Sequence, residues 1–280
     1  MDTQTIILLL LVGFGVGTVG TLVGAGGGFL LVPFLIFYYR DPPIAASTVA
    51  FISLMAVCAN AASGTIGYIR LRRIDYRTAL AFAAATVPTA ILGVFVVRQV
   101  NLAQFAIAFG GLLIAVGAFM LLRAWKRHDM AASPRTCPVN GTRRRIVDAA
   151  GQVYEYGFRM PLGIAVSVAI GFISSFLGIG GGIIHVPFLT QALGFPVQVA
   201  TATSQTILAI TAITGVVTHL CLEVPGVGWR RAGFIAAGSI LGAQLGARLA
   251  RRASSRAILF LLAIGLLLTG IRMILKGLHF

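Results

Sequence analysis

The chain of 280 residues is 58% hydrophobic and only 10% charged, with a mean hydropathy of +0.95. This composition, spread along the chain in long apolar runs, excludes an ordinary soluble domain and predicts a polytopic helical membrane protein. The net charge of +15 would suit nucleic acid, but the basic residues stand at the ends of apolar segments. We therefore interpret them as topology signals and predict no nucleic-acid partner.

Eight apolar segments follow one another in two groups of four. They cover residues 5–38, 44–67, 76–98, 101–122, 160–193, 197–221, 231–250 and 256–276. The pattern predicts an all-α fold with a first membrane repeat over 1–122, a basic linker over 123–159 and a second repeat over 160–280. The positive-inside rule places this linker in the cytoplasm. Within it, 143–158 is expected to be either a short amphipathic helix on the anionic inner leaflet or a solvated segment.

The first and fifth segments are too long for one straight crossing. Each has 34 residues, which as a single helix would measure roughly 51 Å against a hydrocarbon core of ~30 Å. Each contains a glycine run, Gly24 to Gly28 and Gly178 to Gly182. Because glycine destabilises a helix interior by roughly 1 kcal/mol relative to alanine, both helices are predicted to break there, as a broken crossing or a re-entrant hairpin.

A proline follows each glycine run, at Pro33 and at Pro187. Proline lacks a backbone N–H, and the first turn of a helix has no internal partner for that donor. We therefore expect both prolines in first helical turns, with the second half-helices starting near residues 29 and 183.

The two glycine runs belong to an internal repeat. Eight of the twelve positions from Gly24 to Leu35 recur in Gly178 to Leu189. A weaker match, of 91–93 with 240–242, extends the similarity along the two halves. Each half is thus predicted to open with a broken or re-entrant helix.

Charge counting leaves two topologies open. With eight crossings and both termini inside, the inside loops hold 16 of the 22 Lys and Arg. With six crossings, two re-entrant hairpins and both termini outside, the inside loops again hold 16. The six-crossing arrangement makes the halves inverted repeats, because each has an odd number of crossings, whereas four crossings each make them parallel repeats.

The two predicted helix breaks within the membrane indicate a binding site for an anion. Each break presents backbone N–H groups and roughly half a positive charge at the new N-terminus. Irregular backbone at this depth is tolerated only where protein buries it or where it lines a cavity. The backbone candidates are Gly26, Gly27, Gly28, Gly180, Gly181 and Gly182. The alternative is tight helix packing, to which we assign the ladder of Gly238, Gly242 and Gly246.

Polar side chains near the breaks would complete such a site. The hydroxyl and amide candidates begin the segments after the broken helices, at Ser47, Thr48, Thr203, Ser204 and Gln205. Their alternative role is to cap helices or to hydrogen-bond between them. His185 aligns with the apolar Leu31 in the repeat. It is a candidate to sense or carry a proton or to donate to an anion, with a hydrogen-bonded structural histidine as the alternative.

The acidic residues narrow the mechanism. All seven lie in termini, linkers or at segment ends, so the predicted segments lack the carboxylate of proton-relaying pumps. The run Gly24 to Gly28 lacks the Lys and Ser or Thr of a nucleotide loop. The three cysteines have no metal-ligand spacing, and we expect no metal, no cofactor and no enzymatic activity. A coupling ion, H+ or Na+, and assembly into a homo-oligomer are left open.

With its paired motifs, the chain resembles the TauE/SafE family of membrane transporters, also described as sulfite exporters or anion permeases. The resemblance rests on the G-x-G-G-G…P-F-L stretches from Gly24 to Leu35 and from Gly178 to Leu189 and covers essentially all 280 residues. It implies a carrier in a bacterial-type plasma (inner) membrane, surrounded by lipid, that moves sulfite, sulfoacetate or another organosulfonate by alternating access. The alternatives are a passive anion channel and a carrier of a different small organic anion.

Overall fold

The computed structural model describes residues 3–38, 45–126, 141–222, 227–250 and 255–278, and this part of the chain is mostly helical. Its helices are α1 (Thr3–Val23), α2 (Gly28–Tyr38), α3 (Ala46–Arg70), α4 (Tyr76–Val97), α5 (Leu102–Lys126), α6 (Met160–Leu177), α7 (Gly182–Pro187), α8 (Val197–Cys221), α9 (Val227–Leu249) and α10 (Ser255–Leu278). Two strands, β1 (Thr142–Val147) and β2 (Val153–Phe158), lie between α5 and α6.

Seven helices of the described chain are long and apolar enough to cross a membrane. They are α1, α3, α4, α6 and α8 over their whole lengths, α5 over Leu102–Leu122 and α9 over Gly228–Leu249. Large apolar side chains such as Leu80, Leu241 and Leu268 are exposed on the outside of the bundle. A surface of this kind fits lipid and not water, so the fold is that of a multi-pass membrane protein.

Both 34-residue segments are broken at the glycines, as predicted. α2 begins at Gly28 and α7 at Gly182, each one residue before the expected position. Backbone φ angles between 71° and 83° occur at Gly24, Gly26, Gly27, Gly178, Gly180 and Gly181. This left-handed region strongly favours glycine, which explains why each break needs three of them.

The expectation that the prolines stand in first helical turns is wrong. Pro33 is the sixth residue of α2, and Pro187 is the sixth and last residue of α7. At this position a backbone N–H would normally donate to a carbonyl of the preceding turn, and proline has no such N–H to donate. After Pro187 the chain widens into a π-helical turn over Phe188–Ala192, where Thr190 donates to the carbonyl oxygen of Val186 at 2.8 Å.

α1 and α3 run in the same direction. Asn60 of α3 donates to the carbonyl oxygen of Gly17 at 2.8 Å, and Tyr68, two turns further on, donates to that of Thr21 at 2.8 Å. Residue numbers therefore increase together along the two helices. The connection through α2 must lead the chain back to the side on which α1 begins.

α3 and α8 run antiparallel through the middle of the bundle. The Nε2 of Gln205 lies 3.1 Å from the Oδ1 of Asn60, whereas Gly215, further along α8, lies against Leu54, earlier in α3. The central helices of the two halves thus point in opposite directions.

The bundle has two distinct ends. At the terminal end, where α1 begins and α10 finishes, Lys276 donates to the carbonyl oxygen of Ile36 in α2 at 2.8 Å. At the opposite, hairpin end, the β-hairpin of β1 and β2 lies against the turn between α3 and α4. The N–H of Ala149 donates there to the carbonyl oxygen of Leu71 at 3.0 Å.

The glycine ladder of α9 serves helix packing, as the sequence predicts. Its members Gly238, Gly242 and Gly246 lie against the backbone of Leu10, Phe14 and Thr18 in α1. α4 and α6 make a similar contact, in which Gly93 lies against Phe172 and Phe176. The absence of a side chain at these positions lets the helix backbones approach closely.

The segment 143–158 matches neither expectation, because it forms an antiparallel β-hairpin. The side chains of Tyr154, Tyr156 and Phe158 are buried, whereas the residues between them are more exposed. This period of two suits a strand, while a helix would spread the three rings over different faces. Gly151 supplies the φ of 81° at the turn.

Asp148 fastens the hairpin turn. Its Oδ1 accepts the N–H groups of Ala150 and Gln152 at 2.8 and 3.0 Å, and its Oδ2 accepts the Nη2 and Nε of Arg73 at 2.9 and 3.1 Å. Burial alone would raise the pKa of this carboxyl, but the hydrogen bonds and the charge of Arg73 outweigh burial and hold the pKa below its ordinary value. Asp148 is therefore a carboxylate at neutral pH.

Candidate functional site

The two helix breaks touch each other inside the bundle. A Cβ atom added to Gly28 would lie 2.7 Å from the Cα of Ile179, and one added to Gly182 would lie 2.8 Å from the Cα of Ala25. Each contact joins the first residue of one half-helix to the break of the other half. No side chain fits between the two backbones at these points.

The centres of the two breaks lie at mid-depth. Gly26 and Gly180 both contact the side chains of Val57 and Leu208. These two side chains lie within one residue of the midpoints of the 25-residue helices α3 and α8. The irregular backbone is therefore enclosed by protein at the centre of the membrane-crossing helices, as such backbone requires.

Unpaired backbone donors gather where the half-helices begin. Six N–H groups donate no hydrogen bond to any described residue: those of Gly27, Gly28, Phe29, Gly181, Gly182 and Ile183. The N-terminus of a helix carries a partial positive charge, and α7 continues past its six residues into the π-helical turn. Two positive helix ends thus stand beside each other.

Two serines bind the carbonyl groups of the breaks across the two halves. Ser204 of α8 donates to the carbonyl oxygen of Gly24 at 3.2 Å, and Ser53 of α3 donates to that of Gly178 at 2.6 Å. Sequence reasoning predicted Ser204 and missed Ser53. The serines are 151 residues apart and the glycine runs are 154 apart, so a comparison at one fixed offset does not pair them.

Gln205 belongs to a buried cluster of neutral polar side chains beside the first break. The Oδ1 of Asn60 accepts from Gln205 and, at 3.0 Å, from the hydroxyl of Thr21. The Oε1 of Gln205 is buried and has no hydrogen-bond partner among the described residues. The hydrogen-bonding capacity of this carboxamide is therefore only partly satisfied.

His185 lies in α7 and is 1% exposed. Its Nε2 is 3.3 Å from the hydroxyl of Ser167, while its Nδ1 has no partner in the described chain. The hydroxyls of Ser174 and Ser175, near the end of α6, are also buried without a described partner. A Cβ added to Gly181 would lie 3.2 Å from the hydroxyl of Ser174, so this hydroxyl stands beside the start of α7.

Three of the predicted side chains make their contacts elsewhere. Thr203 accepts the N–H of Asp75 at 3.1 Å towards the hairpin end. Thr48 is buried against Gly228 of α9, and Ser47 is half-buried in the first turn of α3. Their surroundings favour the alternative role of packing and bonding at helix ends.

Among the described residues, no three His, Cys, Asp or Glu side chains lie close enough together to hold a metal ion. The described acidic residues are Asp75, Asp148 and Glu155, all at the hairpin end. The centre of the described bundle therefore holds neutral polar groups and helix N-termini, with no carboxylate.

Broken helices that meet inside a bundle of membrane-crossing helices are typical of membrane transporters. The family described as Sulfite exporter TauE/SafE matches residues 9–273, and the chain belongs to this family. The protein is therefore a membrane transporter and not an enzyme.

Curated relatives agree with this assignment. The chain is 31% identical over 287 residues to the probable membrane transporter protein YunE of Bacillus subtilis, covering 98% of this chain and 99% of the relative. It is 29% identical to the probable membrane transporter protein MJ0441 of Methanocaldococcus jannaschii, covering 78% and 74%. A probable membrane transporter protein of Xylella fastidiosa is 29% identical over 91% of this chain and 88% of its own length. No solved structure matches the chain significantly.

Proposed function

We propose that the protein is a secondary transporter that moves a small sulfur-containing oxyanion, such as sulfite, sulfoacetate or another organosulfonate, by alternating access. The observation that carries this proposal is the contact between two helix breaks, one from each half, at mid-depth. Membership of a family described as sulfite exporters supports the class of substrate.

The chemistry around the breaks suits an oxyanion. Its oxygens accept hydrogen bonds, and the six unpaired N–H groups and two positive helix ends supply donors and partial charge. The hydroxyl of Ser174 adds a side-chain donor beside the start of α7, and Ser175 and His185 carry further unpaired atoms on α6 and α7. The described interior has no carboxylate, whose full negative charge would repel an anion.

The directions of the helices support alternating access between inverted repeats. α3 and α8 run antiparallel, and the close packing of α1 on α9 has its counterpart in that of α6 on α4. Each break is bound by a serine of the other half, Ser204 on Gly24 and Ser53 on Gly178. Movement of one half against the other would therefore reshape the site.

The charge distribution supports a cytoplasmic hairpin end. The sequence segments that join helices at this end, together with the helix turns next to them, contain 16 of the 22 Lys and Arg. The arrangement corresponds to six crossings with both termini outside, in which α1–α2 and α6–α7 return to the side where they start. The linker 123–159 is then cytoplasmic, and the protein lies in a bacterial-type inner membrane.

Counterflow in proteoliposomes tests the proposal. Vesicles loaded with unlabelled sulfite or sulfoacetate are diluted into a trace of the labelled anion, with protein-free vesicles as the control. We expect transient accumulation of label that saturates with concentration and needs the anion inside. Flux without saturation or exchange would identify a channel instead, and no exchange with any sulfonate or with sulfite would contradict the substrate class.

Replacing His185 with leucine is expected to raise the KM for the anion about tenfold, because a hydrogen bond to a charged group contributes about 1.5–3 kcal/mol. Leu31, its counterpart in the first half, is also fully buried, so the bundle should accommodate leucine. The concentration dependence of counterflow measures the effect. His185→Gln keeps a donor and is the control; an unchanged KM in His185→Leu would remove this residue from the site.

A further inference from the structure

The β-hairpin is attached to the first half through the turn between α3 and α4. Arg73 donates from Nη2 and Nε to Asp148 at 2.9 and 3.1 Å, and the ion pair is largely buried. The N–H of Ala149 donates to the carbonyl oxygen of Leu71 at 3.0 Å. The tip of the hairpin is thus held by three hydrogen bonds to one short turn.

Asp75 links the hairpin to both halves. Its Oδ2 accepts the hydroxyl of Tyr156 at 2.9 Å and lies 3.5 Å from the Nε of Arg144, so both strands contact it. Its backbone N–H donates to the hydroxyl of Thr203, which belongs to α8 of the second half. Burial, and then the neighbouring carboxylate, raise the pKa of Tyr156, so its hydroxyl keeps the proton it donates.

The aromatic face of the hairpin covers the second half. Phe195 lies just before α8. The centroid of its ring is 4.4 Å from that of Tyr156 and 4.7 Å from that of Phe158. Phe158 also contacts Phe82 of α4 at 6.4 Å. One hairpin therefore packs against α4 of the first half and against the start of α8 in the second.

We propose that this hairpin is a latch that keeps the hairpin end of the transport pathway closed in the conformation described here. The inference rests on the proposed alternating access: if the halves separate at this end, the Arg73–Asp148 pair, the Tyr156–Asp75 bond and the packing on Phe195 cannot all persist. Release of the hairpin and access to the breaks from this end are then one coupled event.

The double variant Arg73→Gln, Tyr156→Phe removes polar contacts of the latch and keeps the hairpin intact, since Asp148 still accepts from Ala150 and Gln152. Arg145→Gln is the matched control. Arg145 pairs at 3.5 Å with Glu155 on the outer face, where the two side chains are 69% and 70% exposed.

Two measurements on the full-length protein test the latch, and neither requires transport. Hydrogen exchange reports docking of residues 142–158. Labelling of Ser204→Cys, with Cys58, Cys137 and Cys221 replaced by serine, reports access to the breaks when an impermeant thiol reagent is added to each face of oriented vesicles.

We expect faster exchange in the hairpin and roughly tenfold faster labelling from the hairpin end in the double variant, with both rates unchanged in Arg145→Gln. Faster exchange with unchanged labelling would overturn the latch, as would unchanged exchange in the hairpin. The expected labelling together with no counterflow by the wild-type protein would contradict the proposed function and leave the latch intact.

Discussion

Gly182→Ala and Gly28→Ala are each expected to reduce transport by roughly 100-fold while the protein still inserts into the membrane. The added Cβ would lie 2.8 Å from the Cα of Ala25 or 2.7 Å from that of Ile179, so the two breaks must move apart. Overpacking of this kind costs about 1–3 kcal/mol, which a bundle of this size should survive. Initial rates of counterflow measure the effect.

Gly111→Ala and Gly265→Ala are the matched controls. A Cβ at either position meets nothing within 4 Å, and both glycines lie in helices, α5 and α10. These variants should transport at the wild-type rate. Full transport by Gly182→Ala, at wild-type abundance in the membrane, would show that close approach of the two breaks is not needed.

The glycines with positive φ should respond still more strongly. Gly27→Val and Gly181→Val combine a β-branched residue in the left-handed region with contacts to Val16 or to Ile170 and Ser174. We expect both to abolish transport while leaving insertion largely intact. Retained transport in both would argue against a site at the breaks.

Asn60→Leu is expected to destabilise the protein by about 1–3 kcal/mol and to lower its Tm by roughly 5 °C. The substitution leaves the carbonyl of Gly17, the hydroxyl of Thr21 and the amide of Gln205 without their shared partner in a buried position. Thermal unfolding in detergent measures the loss.

Gln205→Leu makes the informative comparison. Like Asn60→Leu, it breaks the bond between Gln205 and Asn60, but it also removes the buried Oε1 that has no described partner. Leucine already occurs at the corresponding place in α3, as Leu54, 151 residues earlier. We expect a loss of about 1 kcal/mol or less together with a raised KM. Equal destabilisation by both variants would mean that Oε1 is satisfied, and an unchanged KM would remove Gln205 from the site.

The glycine runs, the length of their segments and their recurrence predicted the helix breaks to within one residue. These are local properties. A 34-residue apolar segment is too long for one straight crossing, and clustered glycines adopt the backbone angles that end a helix and turn the chain. The expectation for the prolines was wrong, because even in half-helices that start at residues 29 and 183 they would be the fifth residues, just beyond the first turn.

The hairpin could have been found in the sequence. Tyr154, Tyr156 and Phe158 alternate with more exposed residues, which is typical of a strand, but the basic composition of the linker favoured a helix on the lipid surface or a solvated segment. What makes the strand stable is distant in the chain, since its aromatic side chains are buried against Phe82 and Phe195.

The sequence also could not show which positions of the two halves are structurally equivalent. The weak match of 91–93 with 240–242 pairs Gly93 with Gly242. In the structure, however, the counterpart of Gly93 is Gly246. Gly93 lies against Phe172 and Phe176 of α6, and Gly246 lies in the same way against Thr18 and Leu22 of α1. Once loop lengths differ, similarity at a fixed offset no longer reports equivalent contacts.

By itself the sequence determined a membrane-embedded helical chain with two broken helices and an interior poor in acids, because hydropathy, glycine content and charge act locally along the chain. Only the tertiary structure decided that the two breaks touch, that Ser53 and Ser204 each bind the break of the other half, and that a β-hairpin joins both halves at one end. The contacts of the breaks and of the two serines join residues more than 100 positions apart, and those of the hairpin span 37 positions or more, so no local pattern encodes them.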